Sequence, residues 1–420
     1  MIALVALSGQ AFAANYAAVG ACTPPNPVTP AHTYATIQLA VTSSAPGTVI
    51  QICPGIYPEQ VVVTKRLTLT GVPSTTQDAA VIVPPITGLV ANTVDLDNPS
   101  LPIAAQILVQ NTFASSVTIN NLTVDGTGNL VATCGLDLDG ILFQNASGAV
   151  SHVAVRNQVP VAGFGGCQIG LGIYVQTGIG FTSKVAVSNS SVHNYNKNGI
   201  TGNDVGTTLN LTGNYIQGAG AIDYIAQNGI QLAYGATGKI VSETVIDNSY
   251  VGPVDAAADI LLYDTSVNGG VAVTSNILGN SQYPIVLYTL GTDGANVGDG
   301  VVITGNHIFG GASFDAIDVC TNGNTVNGNT IFDSAESAIH LDGSCGGTGK
   351  NNTATGNTIV ESACAGIIDD WSGTGGNNYS ADTYYTVPFP VAGSAGSCPF
   401  VTGLAHAKGK RKFSPVGLAQ

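Results

Sequence analysis

Short alternating runs of apolar and polar residues recur along the chain, each centred on an isoleucine. Two of them, AIDV (316–319) and AIHL (338–341), share one frame. Apolar and polar residues that alternate over three to five positions are typical of a strand with one buried face, and such a run is too short for an amphipathic helix. The central positions are Ile141, Ile173, Ile200, Ile230, Ile260, Ile285, Ile317, Ile339 and Ile367.

A second motif, Asn-x-apolar, precedes most of these runs. In four copies a glycine comes directly before the asparagine, a pair that suits tight turns because both residues tolerate positive φ. Repeats of this size cannot bury their apolar faces alone, so the copies must stack on a shared core. The asparagines are Asn189, Asn214, Asn248, Asn276, Asn306, Asn329 and Asn357.

Coiling is the simplest way to stack such repeats. If each repeat forms one coil, equivalent strands lie parallel and about 4.8 Å apart, which pairs nearly all backbone groups between coils. Inward isoleucines then form a column, and asparagine side chains form ladders at the turns. The pattern therefore predicts an all-β solenoid in a single domain over residues 22–400.

The first coils carry a family resemblance. The segments YATIQLAV (34–41) and PGIYPEQVVVTKRLTLTGV (54–72) look like the start of pectinesterases and related secreted proteins. With the repeats, they resemble the right-handed parallel β-helix proteins of the pectin-lyase-like superfamily over roughly residues 34–370. The resemblance implies a right-handed parallel β-helix of about ten coils, with a short helix from about Thr36 that caps the N-terminal end.

No specific enzyme family of this fold is matched. The motif set of pectinesterases is missing after the first coils. Asp369 and Asp370 are similar to the paired aspartates of polygalacturonases, but no Gly-His-Gly segment accompanies them. Pectate lyases use Arg or Lys beside calcium-binding aspartates, and the candidate region lacks a basic residue. Fold alone therefore assigns no chemistry.

The charge of the chain restricts the classes of ligand that it can bind. The formal net charge is −14, and only 9% of the 420 residues are charged. Four of the basic residues lie in the tail (401–420), which we expect to be a solvated end. Such an acidic body repels nucleic acid and disfavours strongly anionic polysaccharides unless a metal cation bridges the charges.

The N-terminus and the cysteines suggest export. Residues 1–14 have the apolar run and the Ala-Phe-Ala site of a signal peptide, and no later segment is expected to span a membrane, so we expect a secreted, periplasmic or cell-surface protein. Eight cysteines then suggest disulfides. Connectivity cannot be deduced from sequence, and free thiols remain an alternative. The simplest sequential pairing is Cys22–Cys53, Cys134–Cys167, Cys320–Cys345 and Cys364–Cys398.

Alignment of the repeats on the isoleucines brings distant residues together. The residues one and three positions after each isoleucine point out of the coil, where the core makes no demand on them. Four candidate catalytic residues fall in these columns on three consecutive coils, and three aromatic residues lie beside them as candidate substrate-binding residues. The catalytic candidates are Asp318, His340, Asp342 and Asp370, and the aromatic residues are Tyr263, Tyr288 and Trp371.

Three interpretations of this patch remain open. The first is that the residues are polar only because an outward face requires it. The second is a glycan site, which aromatic rings beside carboxylates suit. The third is a site for Ca²⁺, the one candidate cofactor, which carboxylates alone suit. Asp342 and Asp370 on adjacent coils should lie about 5 Å apart, as in retaining glycosidases, whereas Asp318 and Asp342 should be roughly 7 to 8 Å apart, as in inverting ones.

The sequence thus predicts a protein that binds a neutral or weakly charged polysaccharide, with cleavage by hydrolysis or elimination left open. The alternative is a non-catalytic surface or adhesion module in which the stack of coils is only a rigid rod.

Overall fold

The computed structural model describes residues 15–29, 32–74, 78–112, 116–265, 270–289 and 298–393. Strands dominate these residues and form three long sheets of 13, 12 and 13 strands. Neighbouring strands are parallel, apart from one short antiparallel strand. From β3 onward, consecutive strands belong to different sheets, apart from β8 and β9, so the chain passes from one face to the next around each coil. The predicted all-β parallel β-helix is confirmed.

Each sheet takes about one strand from every coil. Sheet 1 contains Tyr16–Val19 (β1), Thr33–Tyr34 (β2), Val49–Ile52 (β3), Thr68–Gly71 (β6), Ser116–Asn120 (β10), Ser147–Ser151 (β13), Ser183–Ser188 (β16), Thr207–Thr212 (β19), Thr237–Val241 (β22), Val271–Thr274 (β25), Val302–Thr304 (β28), Thr325–Asn327 (β31) and Thr353–Thr355 (β34). Sheet 2 contains Gly55–Pro58 (β4), Ala80–Val83 (β7), Thr123–Asp125 (β11), Ala154–Gln158 (β14), Ser191–Tyr195 (β17), Tyr215–Ile222 (β20), Thr244–Tyr250 (β23), Ile277–Gly279 (β26), His307–Phe309 (β29), Thr330–Ser334 (β32), Thr358–Ser362 (β35) and Thr383–Tyr385 (β37). Sheet 3 contains Val61–Val63 (β5), Thr93–Val94 (β8), Pro102–Gln110 (β9), Asp137–Gln144 (β12), Leu171–Gln176 (β15), Asn198–Asn203 (β18), Asn228–Ala233 (β21), Ala258–Tyr263 (β24), Tyr283–Tyr288 (β27), Ile317–Val319 (β30), Ser337–Leu341 (β33), Ala365–Asp369 (β36) and Phe389–Ala392 (β38).

The isoleucines of the repeat form a single interior row in sheet 3. Ile141 pairs with Ile173, and the register continues coil by coil to Ile367 without a slip. Each of these side chains is fully buried in one continuous hydrophobic core. Full burial of an isoleucine contributes about 1.5 to 3 kcal/mol, so the row is a main stabilising element of the stack.

Buried asparagines form the predicted ladder between sheets 1 and 2. The side-chain amide of Asn276 donates to the side-chain oxygen of Asn306 at 2.8 Å, and the same contact continues to Asn329 and Asn357. Glu243 occupies the equivalent place one coil earlier, where it accepts from Asn214 at 3.2 Å. The ladder satisfies backbone and side-chain groups that would otherwise be buried without partners.

The one α-helix in the described residues, α1, spans Ile37–Ser43, where the sequence places it. The side chain of Thr36 accepts an N–H of the first turn, and Glu59 accepts the N–H groups of Ile37 and Gln38. These contacts satisfy donors that a helix start leaves open. The role of α1 as a cap stays a prediction. No helix in the described ranges has the length and apolar character needed to cross a bilayer.

Three predicted disulfides are confirmed, namely Cys22–Cys53, Cys134–Cys167 and Cys320–Cys345. Cys364 is also disulfide-bonded, but its predicted partner, Cys398, lies outside the described residues.

The ends of the predicted domain differ from the structure in one respect. β1 begins before Cys22 and pairs with β3, so the stack starts earlier than the predicted boundary. The sheets also hold more strands than about ten coils would supply, because the first coils lack the isoleucine and asparagine motifs used to count repeats. The predicted signal peptide (1–14) and basic tail (401–420) lie outside the described residues.

Candidate functional site

The four candidate catalytic residues meet on the outer face of sheet 3. Asp318 of β30 pairs in register with His340 of β33. Asp342 and Asp370 directly follow β33 and β36. Their N–H groups donate to backbone carbonyls of the preceding coil at 3.0 and 3.3 Å. Parallel register therefore brings together residues that are far apart in sequence, because each coil repeats the frame of the last.

A fifth residue, Asp315, completes the site and was missed by the sequence analysis. Its Oδ2 lies 3.1 Å from Nδ1 of His340, and its Oδ1 accepts from the hydroxyl and N–H of Ser337 at 2.5 and 3.0 Å. It stands two residues before Ile317, and the residues at this place in two earlier coils, Ala258 and Tyr283, pack with outward side chains rather than with the main core. We call Asp315, Asp318, His340, Asp342 and Asp370 the carboxylate cluster.

His340 is held between two carboxylates. Nε2 lies 3.4 Å from Oδ1 of Asp370, on the side of the ring opposite Asp315. Burial alone would lower the pKa of His340. The charge and the hydrogen bond of Asp315, together with the hydrogen bond of Asp370, outweigh burial and raise this pKa well above its ordinary value. The imidazole is therefore a cation at neutral pH, and both ring N–H groups donate.

The pKa values of Asp318 and Asp342 are raised. Burial is the main cause for both carboxyls. The charge of Asp342 raises the pKa of Asp318 further, while the cationic His340 partly opposes the shift in both. Two carboxylates this close resist ionising together, so this half of the cluster keeps a proton to a higher pH than an isolated aspartate does.

The pKa of Asp370 is shifted the other way. Burial would raise the pKa, but hydrogen bonds from His340, from the N–H of Gly343 at 3.1 Å and from Asp342 together lower it. About 23% of the Asp370 side chain is exposed, so solvent reaches this carboxylate. Adjacent carboxyls with opposite pKa shifts are the usual division into proton donor and base or nucleophile.

The cluster is buried, which corrects the expectation of an undemanding outward face. Asp318, His340 and Asp342 are only 6%, 7% and 7% exposed. The loops that leave β33 and β36 fold back over this face, where Ser344 donates to Asp342 through both N–H and hydroxyl. A face that points away from the core is therefore still enclosed.

The predicted spacing of Asp318 and Asp342 is wrong. One oxygen of each carboxyl lies within 4.8 Å of the other, rather than 7 to 8 Å away. This contact gives no sign of the wider separation that an inverting mechanism uses to hold a water between its carboxyls.

The predicted aromatic residues differ in their access to the cluster. Tyr263 is 2% exposed and lies between the rings of Tyr234 and Tyr288, with centroid distances of 5.6 and 5.4 Å. Tyr288 is half-buried at the cluster end of this row, where the charges of Asp318 and Asp342 help to raise its pKa beyond the effect of burial. Tyr288 is thus the tyrosine that borders the cluster.

Trp371 lies beside Asp370, but a cation covers it. Nζ of Lys350 is 3.7 Å from the centroid of the ring, and the indole N–H donates to the carbonyl of Thr348 at 2.5 Å. The expectation that this region lacks a basic residue is therefore wrong. Lys350 lies in a loop whose length differs from those of the other coils, so the repeat frame could not place it.

Two sets in the cluster bring potential metal ligands within 4.8 Å of one another, and both include His340. These sets are Asp315, Asp318 and His340, and His340, Asp342 and Asp370. A protonated imidazole offers no lone pair to a metal, which leaves two carboxylates in each set. The expectation of no bound metal, with Ca²⁺ as the alternative, stays a prediction.

Comparisons with known proteins support the fold. No protein-family model matches the chain, and no curated protein sequence matches either. Among solved structures, the GH136 lacto-N-biosidase from Eubacterium ramulus is similar with a TM-score of 0.55 and 13% identity, over 90% of this chain and 67% of that one. Its selenomethionine derivative gives 0.53 and 12%, over 89% and 68%.

Pectate lyase Pel9A matches more distantly, with a TM-score of 0.42 and 13% identity over 90% of this chain and 77% of that one. At these identities the likeness concerns the fold alone. The chain is therefore a parallel β-helix protein, and its chemistry has to be argued from its own residues.

Proposed function

We propose that the carboxylate cluster cleaves a glycosidic bond in a neutral or weakly charged glycan. Asp342 is the proton donor, and Asp370 is the nucleophile. The observation that carries this proposal is the opposite direction of the pKa shifts in these two adjacent carboxyls, raised in Asp342 and lowered in Asp370. His340 keeps Asp370 ionised, and Asp315 holds His340 in place.

The reaction follows from these protonation states. The glycosidic oxygen takes the proton of Asp342 as its bond to the anomeric carbon breaks, and the carboxylate of Asp370 forms a bond to that carbon. Asp342, now ionised, then takes a proton from water, and the hydroxide displaces Asp370. Because the two carboxyls lie on adjacent coils and bring one oxygen each within 4.8 Å of the other, the short separation favours a product that retains its anomeric configuration.

A neutral substrate fits the charge of the site. Asp370 and Asp342 face a sugar with carboxyl groups, the cationic His340 is enclosed behind them, and Lys350 is engaged by Trp371. A uronate would therefore meet repulsion close to the reacting bond. Tyr288 borders the cluster and offers a ring for contact with a sugar face. An exported protein with disulfides would meet such glycans outside the cell.

The test is a panel of neutral and acidic glycans incubated with the protein. We expect new reducing ends from at least one neutral glycan, a loss of about 10³-fold or more in Asp370→Asn, and a loss of about 10² to 10⁴-fold in Asp342→Asn. Asp333→Asn, an exposed aspartate on the same coil as His340, is the matched control and should keep full activity. If every glycan is left intact, or both site variants cleave as well as the control, the proposal fails.

The same assay tests the metal expectation. We propose that the reaction needs no cofactor, because the cationic His340 already supplies the positive charge beside Asp370. Treatment with a chelator should leave the rate unchanged. A rate that falls with the chelator and returns with Ca²⁺ would show that Ca²⁺ is required instead.

The alternative of a non-catalytic module is favoured by one observation, the burial of Asp318, His340 and Asp342. In that case, the cluster only stabilises the stack. A glycan that binds without being cleaved, with unchanged affinity in Asp370→Asn, would support the module.

A further inference from the structure

The disulfide Cys320–Cys345 lies directly against the carboxylate cluster. Cys320 follows β30, and Cys345 lies in the loop after β33. Sγ of Cys320 is 4.0 Å from Oδ1 of Asp318. The two sulfur atoms and one oxygen each from Asp318 and Asp342 all lie within 4.8 Å of one another. Two sulfurs and two carboxyl oxygens thus surround one point.

We propose that reduction of Cys320–Cys345 creates a Zn²⁺ site formed by Cys320, Cys345, Asp318 and Asp342. In the oxidised protein the sulfurs are bonded to each other and cannot act as thiolate ligands. Once the bond is broken, the four groups provide two thiolates and two carboxylates, a ligand set that suits tetrahedral Zn²⁺.

The distances favour zinc over the metals that prefer oxygen. Tetrahedral Zn²⁺ takes sulfur at about 2.3 Å and carboxylate oxygen at about 2.0 to 2.2 Å, which separates neighbouring ligands by roughly 3.3 to 3.8 Å. The four ligand atoms already lie within 4.8 Å of one another, and once their bond is broken the two sulfurs have to separate to about 3.8 Å to reach that geometry. Ca²⁺ and Mg²⁺ take oxygen ligands almost exclusively and gain nothing from the sulfurs.

The loop stays in place without the sulfur–sulfur bond. The N–H of Gly349 donates to the carbonyl of Cys320 at 3.0 Å, and the Trp371 indole holds the carbonyl of Thr348. Ser344 donates twice to Asp342. These contacts keep Cys345 near Cys320 after reduction, so the site is largely preformed.

The chemistry requires an external dithiol. Its thiolate attacks the sulfur of Cys345, which is half-buried, and the Cys320–Cys345 bond breaks as a mixed disulfide forms. The second thiol of the reductant displaces Cys345, so the reductant leaves as a disulfide and two electrons have passed to the cysteines. Zn²⁺ then replaces one proton on each thiol and the proton that the Asp318–Asp342 pair retains, all of which pass to solvent.

The site has a consequence for activity that rests on the proposed function. Zn²⁺ held by Asp318 and Asp342 would remove the proton donor Asp342 from catalysis. The reduced, zinc-loaded chain is then a latent form, and reoxidation with release of the metal restores the active one.

The experiment uses the full chain reduced with a dithiol, freed of reductant without oxygen, and titrated with Zn²⁺ under native mass spectrometry. Co²⁺ replaces Zn²⁺ in a parallel titration, where a thiolate-to-cobalt absorption band reports sulfur ligands. We expect one metal per reduced chain, no uptake by the oxidised chain, and a loss of affinity of at least about tenfold in Asp342→Asn. Far-ultraviolet circular dichroism confirms that each sample keeps its strands.

Two double variants separate this site from the other thiols. Cys134→Ser with Cys167→Ser removes a different disulfide and should leave the uptake intact. Cys320→Ser with Cys345→Ser should abolish it. Equal uptake by both variants, no uptake by the reduced chain, or an affinity that is unchanged in Asp318→Asn and Asp342→Asn would each overturn the proposal. None of these readouts depends on glycan cleavage.

Discussion

The state of each residue in the cluster depends on its neighbours rather than on its type. Asp342 and Asp370 are the same amino acid one coil apart, yet their pKa values move in opposite directions because burial dominates at Asp342, whereas the bonds from His340 and the N–H of Gly343 outweigh burial at Asp370. Four of the five cluster residues, Asp318, His340, Asp342 and Asp370, could be placed in outward columns from the sequence, because strand alternation and coil register fix those columns. The partner Asp315 and the cation Lys350 could not, because they stand in parts of the coil where the motif frame does not extend.

The substitution Asp315→Asn tests how His340 is held. It removes the nearest opposite charge, so we expect the pKa of His340 to fall by about 1 to 3 pH units. Nitrogen NMR of the labelled imidazole measures the change, and His340→Gln assigns the signal. Asp333→Asn is the control and should leave this pKa unchanged.

The substitution Asp315→Asn should also change how the stability of the protein depends on pH. Because the folded-state pKa of His340 is raised, its contribution is fully present below the unfolded pKa of about 6.5 and is lost as the pH rises through the folded value. Asp315→Asn should therefore shift the alkaline loss of stability to lower pH. An unchanged imidazole titration would contradict the assigned partnership.

At the scale of the elements, the strands and ladders follow directly from the repeat. The isoleucine row was predictable because a buried face must keep one register across coils. The ladder from Asn276 to Asn357 was predictable because its members recur in the Asn-x-apolar motif, three of them directly after glycine at a turn. The place of Glu243 in the ladder was not predictable, since a carboxyl stands there instead of an amide. Burial in the ladder raises the pKa of Glu243 to about 8.

Glu243→Gln tests this carboxyl in the ladder. A carboxyl whose folded pKa is about 8 against about 4.3 when unfolded gives stability that is complete below the lower value and is lost as the pH rises toward the higher one. The loss amounts to about 1.4 kcal/mol per pH unit between the two values. Urea denaturation at several pH values should show a flatter profile in Glu243→Gln than in the natural protein.

The exposed Glu361 provides the comparison. Glu361→Gln should reproduce the natural pH profile, since that side chain is not enclosed by the ladder. A Glu243→Gln profile with the natural slope would mean that Glu243 is ionised in the folded protein.

At the scale of the whole molecule, coiling explains both the stability and the placement of the site. Its three sheets share one core, and the outer face of sheet 3 gathers residues from β30, β33 and β36. The solenoid was predictable from the period alone. The enclosure of its outer face was not, because loop lengths vary and their paths depend on contacts such as that between Trp371 and Lys350.

The net charge of −14 predicts discrimination between glycans. We expect the Asp370→Asn protein to bind a neutral glycan more tightly than a polyuronate at low salt, because the acidic body repels the polyanion. Added salt should reduce the difference through screening. Affinity electrophoresis in gels that contain one or the other glycan measures this difference in affinity. Tighter binding of the polyuronate at low salt would contradict the assignment of substrate class.

The central claim is that Asp342 and Asp370 stand next to each other in opposite protonation states. Carbon NMR of the protein labelled at aspartate carboxyls measures this without any substrate, and the variants Asp342→Asn and Asp370→Asn assign the two signals. The account predicts that the Asp342 carboxyl loses its proton at a higher pH than an ordinary aspartate and the Asp370 carboxyl at a lower pH, so that Asp370 is ionised while Asp342 still carries its proton. If the two carboxyls titrate together at the ordinary pH of an aspartate, the cluster has no acid to donate and the proposed mechanism is contradicted.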